Sequence, residues 1–190
     1  MNAITQIITQ QMTGSALRQI AARVGVSETT ANTAVGIAVP LILAALARNA
    51  TKPEGAQALH EAVATDHDGR ILDNLKGYLG NPEAANGAGI LEHVLGGQRP
   101  VVESNLAQAT GLDQGSAGSL MELVAPLVMG AVGRTQHQNG LDSSGLAAYL
   151  GNQQQAEAPG MMASLTSMLD SNQDGNVGDD LARMAGKLFK

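Results

Sequence analysis

The strongest constraint on the fold of this chain is a segment that occurs twice. Ile20–Arg48 and Leu106–Arg134 align without a gap, each position lying 86 residues before its counterpart. The identical pairs are Ala21 and Ala107, Gly25 and Gly111, Ala31 and Ala117, Pro40 and Pro126, Leu41 and Leu127, Ala45 and Ala131, and Arg48 and Arg134. Solenoid repeats are much shorter, about 20–50 residues. The pattern therefore predicts an ancestral duplication, folded as two related lobes or as one pseudo-twofold domain.

Apolar residues recur with the spacing of α-helices. Two stripes near the start of the chain repeat every three to four residues, and strand-like alternation is missing nearly everywhere. The stripes are Ile4, Ile7, Ile8 and Met12, followed by Leu17, Ile20, Ala21 and Val24. We therefore predict an all-α fold.

Each repeat begins with the same turn chemistry. Gly25 and Gly111 are placed to end one helix, and Ser27 and Asp113 are polar N-cap residues for the next. A proline follows 13 residues after each cap residue and is expected to kink or break the long helix, because it lacks an amide donor and clashes with the preceding turn.

The division into lobes is predicted from segments rich in Gly, Asn, Gln and Pro. This composition predicts loops at Gly80–Gly89, Gly96–Pro100 and Gly151–Gly160. Placing the boundary in the second loop gives a first lobe at residues 1–97 and a second at 98–190. With only three aromatic residues in the chain, the core must consist of Leu, Val, Ile, Met and Ala.

Composition argues against several functions. The absence of cysteine excludes disulfides and thiolate chemistry. The net charge of −6 and the lack of a Lys/Arg cluster argue against nucleic acid and anionic lipid as partners. The start of the chain shows no secretory signal, so a cytoplasmic location is expected. The most apolar run, Val35–Ala47, is shorter than the ~20 residues of a membrane span and is expected to be a buried core helix.

A candidate Ca²⁺ loop lies near the C-terminus, in the stretch Asp170–Leu181. It resembles an EF-hand loop, with oxygen side chains at positions 1, 3 and 5, Gly at 6 and a backbone carbonyl at 7. Position 12 is Leu181 in place of the usual bidentate Glu, so any affinity is expected to be weak. The candidate metal ligands are Asp170, Asn172, Asp174, Asn176 and Asp180, the last reaching in from the following helix.

The same stretch has a simpler interpretation. An Asp-Gly turn followed by a helix with acids in its first turn also explains the pattern, because the helix dipole favours acids there. A sister stretch, Asp68–Leu75, aligns with Asp174–Leu181 at a spacing of 106. The loop that contains this stretch, Ala64–Leu75, has Ala64 at position 1 in place of an acid, and we expect no ion there.

A second hypothesis is DNA binding. Leu17–Gly36 has the helix, glycine turn and Ser-Glu-Thr-Thr entry of a helix-turn-helix. The recognition helix, Glu28–Val35, contains no Lys or Arg, although phosphate and base contacts usually require them. We interpret the segment as a packing corner and keep DNA binding as the alternative.

No enzymatic motif stands out. The four histidines are dispersed, and neither a nucleophile elbow nor a phosphate-binding loop is present. Methionines such as Met121 and Met129 fit helical core positions. These patterns favour a non-enzymatic protein, with no catalytic residues and no cofactor apart from the candidate Ca²⁺.

The chain resembles the YidB-like family of bacterial proteins, a domain of unknown function. Four motifs carry the resemblance: Gly87–Gly97, Gly111–Asp113, Ala125–Ala131 and the terminal Asp170–Phe189. The resemblance implies a small, all-helical cytoplasmic protein without an assigned activity. Together these observations predict an internally duplicated helical protein with an EF-hand-like loop, serving protein–protein interaction or self-association.

Overall fold

The computed structural model of the protein describes residues 3–12 and 14–153, which form ten α-helices, two short 3₁₀ helices and no β-strand. The prediction of an all-α fold is confirmed. The helices are α1 (Ala3–Gln11), α2 (Ser15–Val24), α3 (Glu28–Asn49), α4 (Pro53–Thr65), α5 (Arg70–Asp73), α6 (Leu75–Gly80), α7 (Gly87–Leu95), α8 (Arg99–Thr110), α9 (Gln114–Asn139) and α10 (residues 143–153).

Helix α9 lies at the centre of the fold. It packs against α1, α2, α3, α4, α5, α7 and α8. Most of its length is buried, because its residues are aliphatic or small and allow neighbouring helices to approach closely. The buried side chains of residues 4–150 form one hydrophobic cluster, to which both predicted lobes contribute. The division at residues 97 and 98 stays a prediction.

The two repeated corners have the same local geometry. Gly25 and Gly111 both adopt the left-handed conformation, with φ of 79° and 72°, which glycine tolerates without steric cost. In the first corner the amides of residues 25 and 26 donate to the carbonyl of Ala21. In the second, the amides of residues 111 and 112 donate to Ala107, its counterpart.

The predicted N-caps are confirmed. The side chain of Ser27 accepts a hydrogen bond from the Thr30 amide at 3.0 Å. The side chain of Asp113 accepts one from the Ser116 amide, also at 3.0 Å. Each bond satisfies one of the free amides at the start of a long helix.

Both long helices continue through their prolines, so the alternative in which proline ends the helix is wrong. Pro40 lies inside the 22-residue α3 and Pro126 inside the 26-residue α9. Packing around α9 outweighs the lost hydrogen bond, because Pro126 itself is buried. Beside it, the hydroxyl of buried Tyr78 donates to the carbonyl of Leu123 at 2.7 Å.

Two of the predicted loops are largely helical. Gly80–Gly89 contains the 3₁₀ helix Pro82–Ala85 and the start of α7, where the Asn86 side chain accepts a hydrogen bond from the Gly89 amide. Gly96–Pro100 contains a second 3₁₀ helix and the start of α8. Proline is compatible with the first turn of a helix, where its missing amide costs nothing. In the third loop, residues 151–153 belong to α10 and the remainder lies outside the described residues.

Helices α3 and α9 are long and apolar enough, by length and composition, to cross a membrane. The relevant stretch of α9 is 78% buried within the protein and that of α3 is 56% buried. Buried core helices satisfy the same criterion. The prediction that the chain has no membrane span therefore stays a prediction.

Candidate functional site

The candidate Ca²⁺ loop falls outside the described residues, so the ion site stays a prediction. Its five candidate ligands are Asp170, Asn172, Asp174, Asn176 and Asp180. In the part of the chain that the structure describes, no three His, Asp or Glu side chains come together as metal ligands.

The side chains of the sister stretch make contacts within the protein. Asp68 accepts a hydrogen bond from the Arg70 amide at 3.1 Å and pairs with the Arg70 guanidinium at 2.6 Å. That amide hydrogen bond is the main reason why the pKa of Asp68 is lowered. Asp73 pairs with Arg134 at 2.6 Å, and Asn74 caps α6. These oxygens thus hold the start of α5 and α6 in place.

The helix-turn-helix corner makes polar contacts within the protein, and DNA binding stays the alternative prediction. Arg23 on α2 donates to the carbonyls of Leu79 and Gly80 at the end of α6, at 3.0 and 3.3 Å. Arg18, on the same helix, forms an exposed ion pair with Glu28 at 3.3 Å. Both arginines of α2 therefore already have partners, and Glu28 places an acid at the start of the would-be recognition helix.

The four histidines are exposed or half-buried. His60 is half-buried, with its Nε2 3.1 Å from the side-chain nitrogen of Gln136. His67 is half-buried, and desolvation lowers its pKa despite the opposing effect of Asp66. His93 and His137 are exposed. None of them is bonded to a serine or threonine hydroxyl in the described part of the chain, so no nucleophile and base are paired there.

An open groove of about 570 Å³ lies between the C-terminal end of α3, helix α4 and helix α7. Its apolar floor comes from side chains that are buried at the edge of the core. These are Leu46, Leu59, Val94 and Met129. The volume lies within the usual range of ligand-binding pockets, about 300–1,000 Å³.

Among the described residues, the formally charged side chains at the rim of the groove are Arg48 and Lys52, both basic. Arg48, Lys52 and His93 line it and are exposed, and no Asp or Glu belongs to the lining. The side chains of Arg48 and Lys52 form no ion pair with any described residue. In a chain of net charge −6 this is a local positive surface.

Sequence reasoning did not find the groove. Arg48 lies in the last turn of α3, Lys52 is the N-cap residue of α4 and His93 lies in the last turn of α7, so no short motif contains them. One sequence signal was available: Arg48 and Lys52 lie four residues apart, and no Asp or Glu occurs between Glu28 and Glu54.

Comparison with known proteins gives one match. A family model described as a bacterial protein of unknown function (DUF937) matches residues 6–135. No curated protein and no solved structure matches the chain.

Proposed function

This chain belongs to the matched family of bacterial proteins of unknown function, and we propose that it is a non-enzymatic protein that binds a partner protein through its groove. The occupant we propose is an amphipathic segment with apolar residues on one face and acidic residues on the other. Helical segments often bind in this manner, with apolar anchors in the groove and charges at its rim.

The observation that carries the proposal is the charge of the rim over an apolar floor. Opposite charges across an interface steer association and exclude partners of the wrong charge. Arg48, Lys52 and His93 surround Leu46, Leu59 and Val94, with no acid among the lining residues. An acidic amphipathic segment complements both properties, whereas a basic amphipathic segment complements the apolar floor alone.

A non-enzymatic role fits the composition of the groove. Among the described residues, the lining contains no Asp, Glu, Cys, Ser or Tyr, and its one histidine, His93, is exposed. General acid–base catalysis needs a positioned titratable group, and nucleophilic catalysis needs an adjacent base. The groove of the described structure offers hydrophobic contacts and positive charge, which are means of binding.

Three finer proposals accompany this one. We propose that the chain is YidB-like, that it arose by internal duplication, and that its Asp/Asn loop binds Ca²⁺ as a structural ion. The duplication is supported by the matching turns at Gly25 and Gly111 and the matching caps at Ser27 and Asp113. A cytoplasmic location is proposed on the sequence alone.

The groove is tested with two designed amphipathic peptides that share a leucine face and carry either glutamates or lysines on the other. Fluorescence anisotropy of labelled peptides, titrated with the full chain, measures affinity. We expect the glutamate peptide to bind and the lysine peptide to fail. Lys52→Glu should weaken binding about tenfold, which corresponds to ~1.4 kcal/mol.

Lys76→Glu is the matched control. Lys76 is also exposed, forms no ion pair with a described residue and lies outside the groove, so the variant has the same net charge as Lys52→Glu. Equal losses in the two variants, or equal binding of the two peptides, would refute the groove as a site for acidic segments. Self-association that Lys52→Glu abolishes, without peptide binding, would identify a second copy as the occupant.

A further inference from the structure

The repeated helices α3 and α9 differ in how one equivalent face is covered. On α9 this face consists of Leu123, Leu127 and Gly130, all buried. The counterparts on α3, 86 residues earlier, are Ile37, Leu41 and Ala44, and all three are only partly buried. We call these three residues together with Arg48 the α3 face.

Residues 53–80 cover this face on α9. Helices α4 and α5 pack against α9, and a Cβ placed on Gly130 would lie 2.5 Å from Ile71. At the end of the face, Arg134 donates to the carbonyl of Gly69 at 2.7 Å and pairs with Asp73 at 2.6 Å. One arginine thus binds both ends of α5, its N-cap residue Gly69 and its last residue Asp73.

Arg48 is the counterpart of Arg134 but lacks such a partner in the described part of the chain. It is exposed, and its side chain makes no ion pair there. Arg134, by contrast, is half-buried by the segment that it binds. Within the described residues, the first repeat therefore has the arginine and the apolar face but no segment that covers them.

The C-terminal part of the sequence contains a counterpart of the covering segment. Residues 159–181 align with residues 53–75 at a constant spacing of 106. The identical pairs are Pro53 and Pro159, Leu59 and Leu165, Asp68 and Asp174, Gly69 and Gly175, Asp73 and Asp179, and Leu75 and Leu181. The C-terminal segment therefore contains Gly175 and Asp179, the counterparts of the two residues that Arg134 binds.

We propose that residues 159–181 bind the α3 face of the same chain, with Arg48 pairing to Asp179 and donating to the Gly175 carbonyl. Binding within one chain is favoured because tethering gives millimolar effective concentrations. Asp179 is not among the candidate Ca²⁺ ligands, so the two roles do not compete for it. The inference rests on the proposed duplication and shares Arg48 with the groove, whereas Lys52 belongs to the groove alone.

Disulfide trapping tests the proposal in the full chain, which has no native cysteine. Ile71 and Gly130 approach each other in the covered repeat, so their counterparts, Val177 and Ala44, should do so as well. Under mild copper–phenanthroline oxidation in the presence of a chelator, Ala44→Cys/Val177→Cys is expected to form an intramolecular disulfide in most molecules. Gly130→Cys/Ile71→Cys is the positive control.

Asn32→Cys/Val177→Cys is the negative control, because Asn32 is exposed on another side of α3. No disulfide beyond that control, or disulfides only between two chains, would overturn the proposal. Mass spectrometry after proteolysis without reductant distinguishes these outcomes.

A charge swap tests the arginine pairing. In the Ala44→Cys/Val177→Cys background, Arg48→Asp or Asp179→Arg alone should slow disulfide formation at least threefold, and the two together should restore it. Unchanged rates in both single variants would overturn the Arg48–Asp179 pair.

If the cysteine variants fail to fold, the same swap is made in the cysteine-free chain. Each single variant should then lower the thermal midpoint and the double variant should recover it, and no change would likewise overturn the pairing. Lys52→Glu should leave trapping unchanged, which separates a failure of this inference from a failure of the groove.

Discussion

Replacing glycine by alanine should have opposite effects at two positions in the long helices. Gly36 is exposed on α3, and a Cβ there would meet no atom within 4 Å. Gly133 is buried in α9, where a Cβ would overlap the carbonyl oxygen of His67 and lie 3.1 Å from that of Val63. The same substitution therefore tests whether α4 approaches α9 as closely as the structure shows.

The magnitudes follow from two terms. Alanine in a helix is more favourable than glycine by about 0.5–1 kcal/mol, because it restricts the unfolded chain. Gly36→Ala should gain that amount. At Gly133 the same gain is opposed by overpacking, typically about 1–3 kcal/mol and sometimes more. The obstructing atoms are backbone, which cannot rotate away, so we expect the upper part of that range. Because the alanine gain is common to both variants, they should differ by the overpacking cost alone, roughly 2–3 kcal/mol in unfolding free energy.

Urea unfolding followed by circular dichroism at 222 nm measures the difference, since the chain has no tryptophan for fluorescence. For a chain of this length, 1 kcal/mol corresponds to about 2–4 °C in thermal midpoint, so heating gives an independent value. The urea midpoint should change with little change in slope. A Gly133→Ala variant at least as stable as the wild type would refute the close approach of α4 and α9.

Two further predictions concern the helix caps and the candidate ion loop. Because Ser116 hydrogen bonds lower the pKa of Asp113, its stabilisation is present above the ordinary Asp pKa and is lost as the pH falls through the folded value. Asp113→Ala should thus cost more stability at pH 7 than at pH 3 in urea unfolding, whereas Ser27→Ala should cost about 1 kcal/mol at both. An equal cost of Asp113→Ala at both pH values would contradict this reasoning. Calorimetric titration of Ca²⁺ into chelator-stripped protein should give saturable heat that Asp170→Ala/Asp174→Ala abolishes. No heat at millimolar Ca²⁺ would favour a simple Asp-Gly turn and helix cap.

The sequence alone was sufficient for features that depend on neighbours within one or two helical turns. Apolar spacing identified helices such as α2, and a polar residue after a glycine turn identified the caps Ser27 and Asp113. Met121 and Met129 were expected in the core and are buried there. Hydrogen bonds from residue i to i−4 and cap bonds are local, so their signals lie close together in the chain.

Tertiary structure decided the features that depend on which helices meet. The long helix continues through Pro126, because packing on all sides offsets one lost hydrogen bond. Two segments rich in glycine contain helix starts, at Gly87 and Arg99. Asn86 caps the first of these helices, and Pro100 lies in the first turn of the second. The rim of the groove combines Arg48, Lys52 and His93 from three helices. Burial and electrostatic fields depend on distances between residues far apart in sequence, which local patterns do not encode.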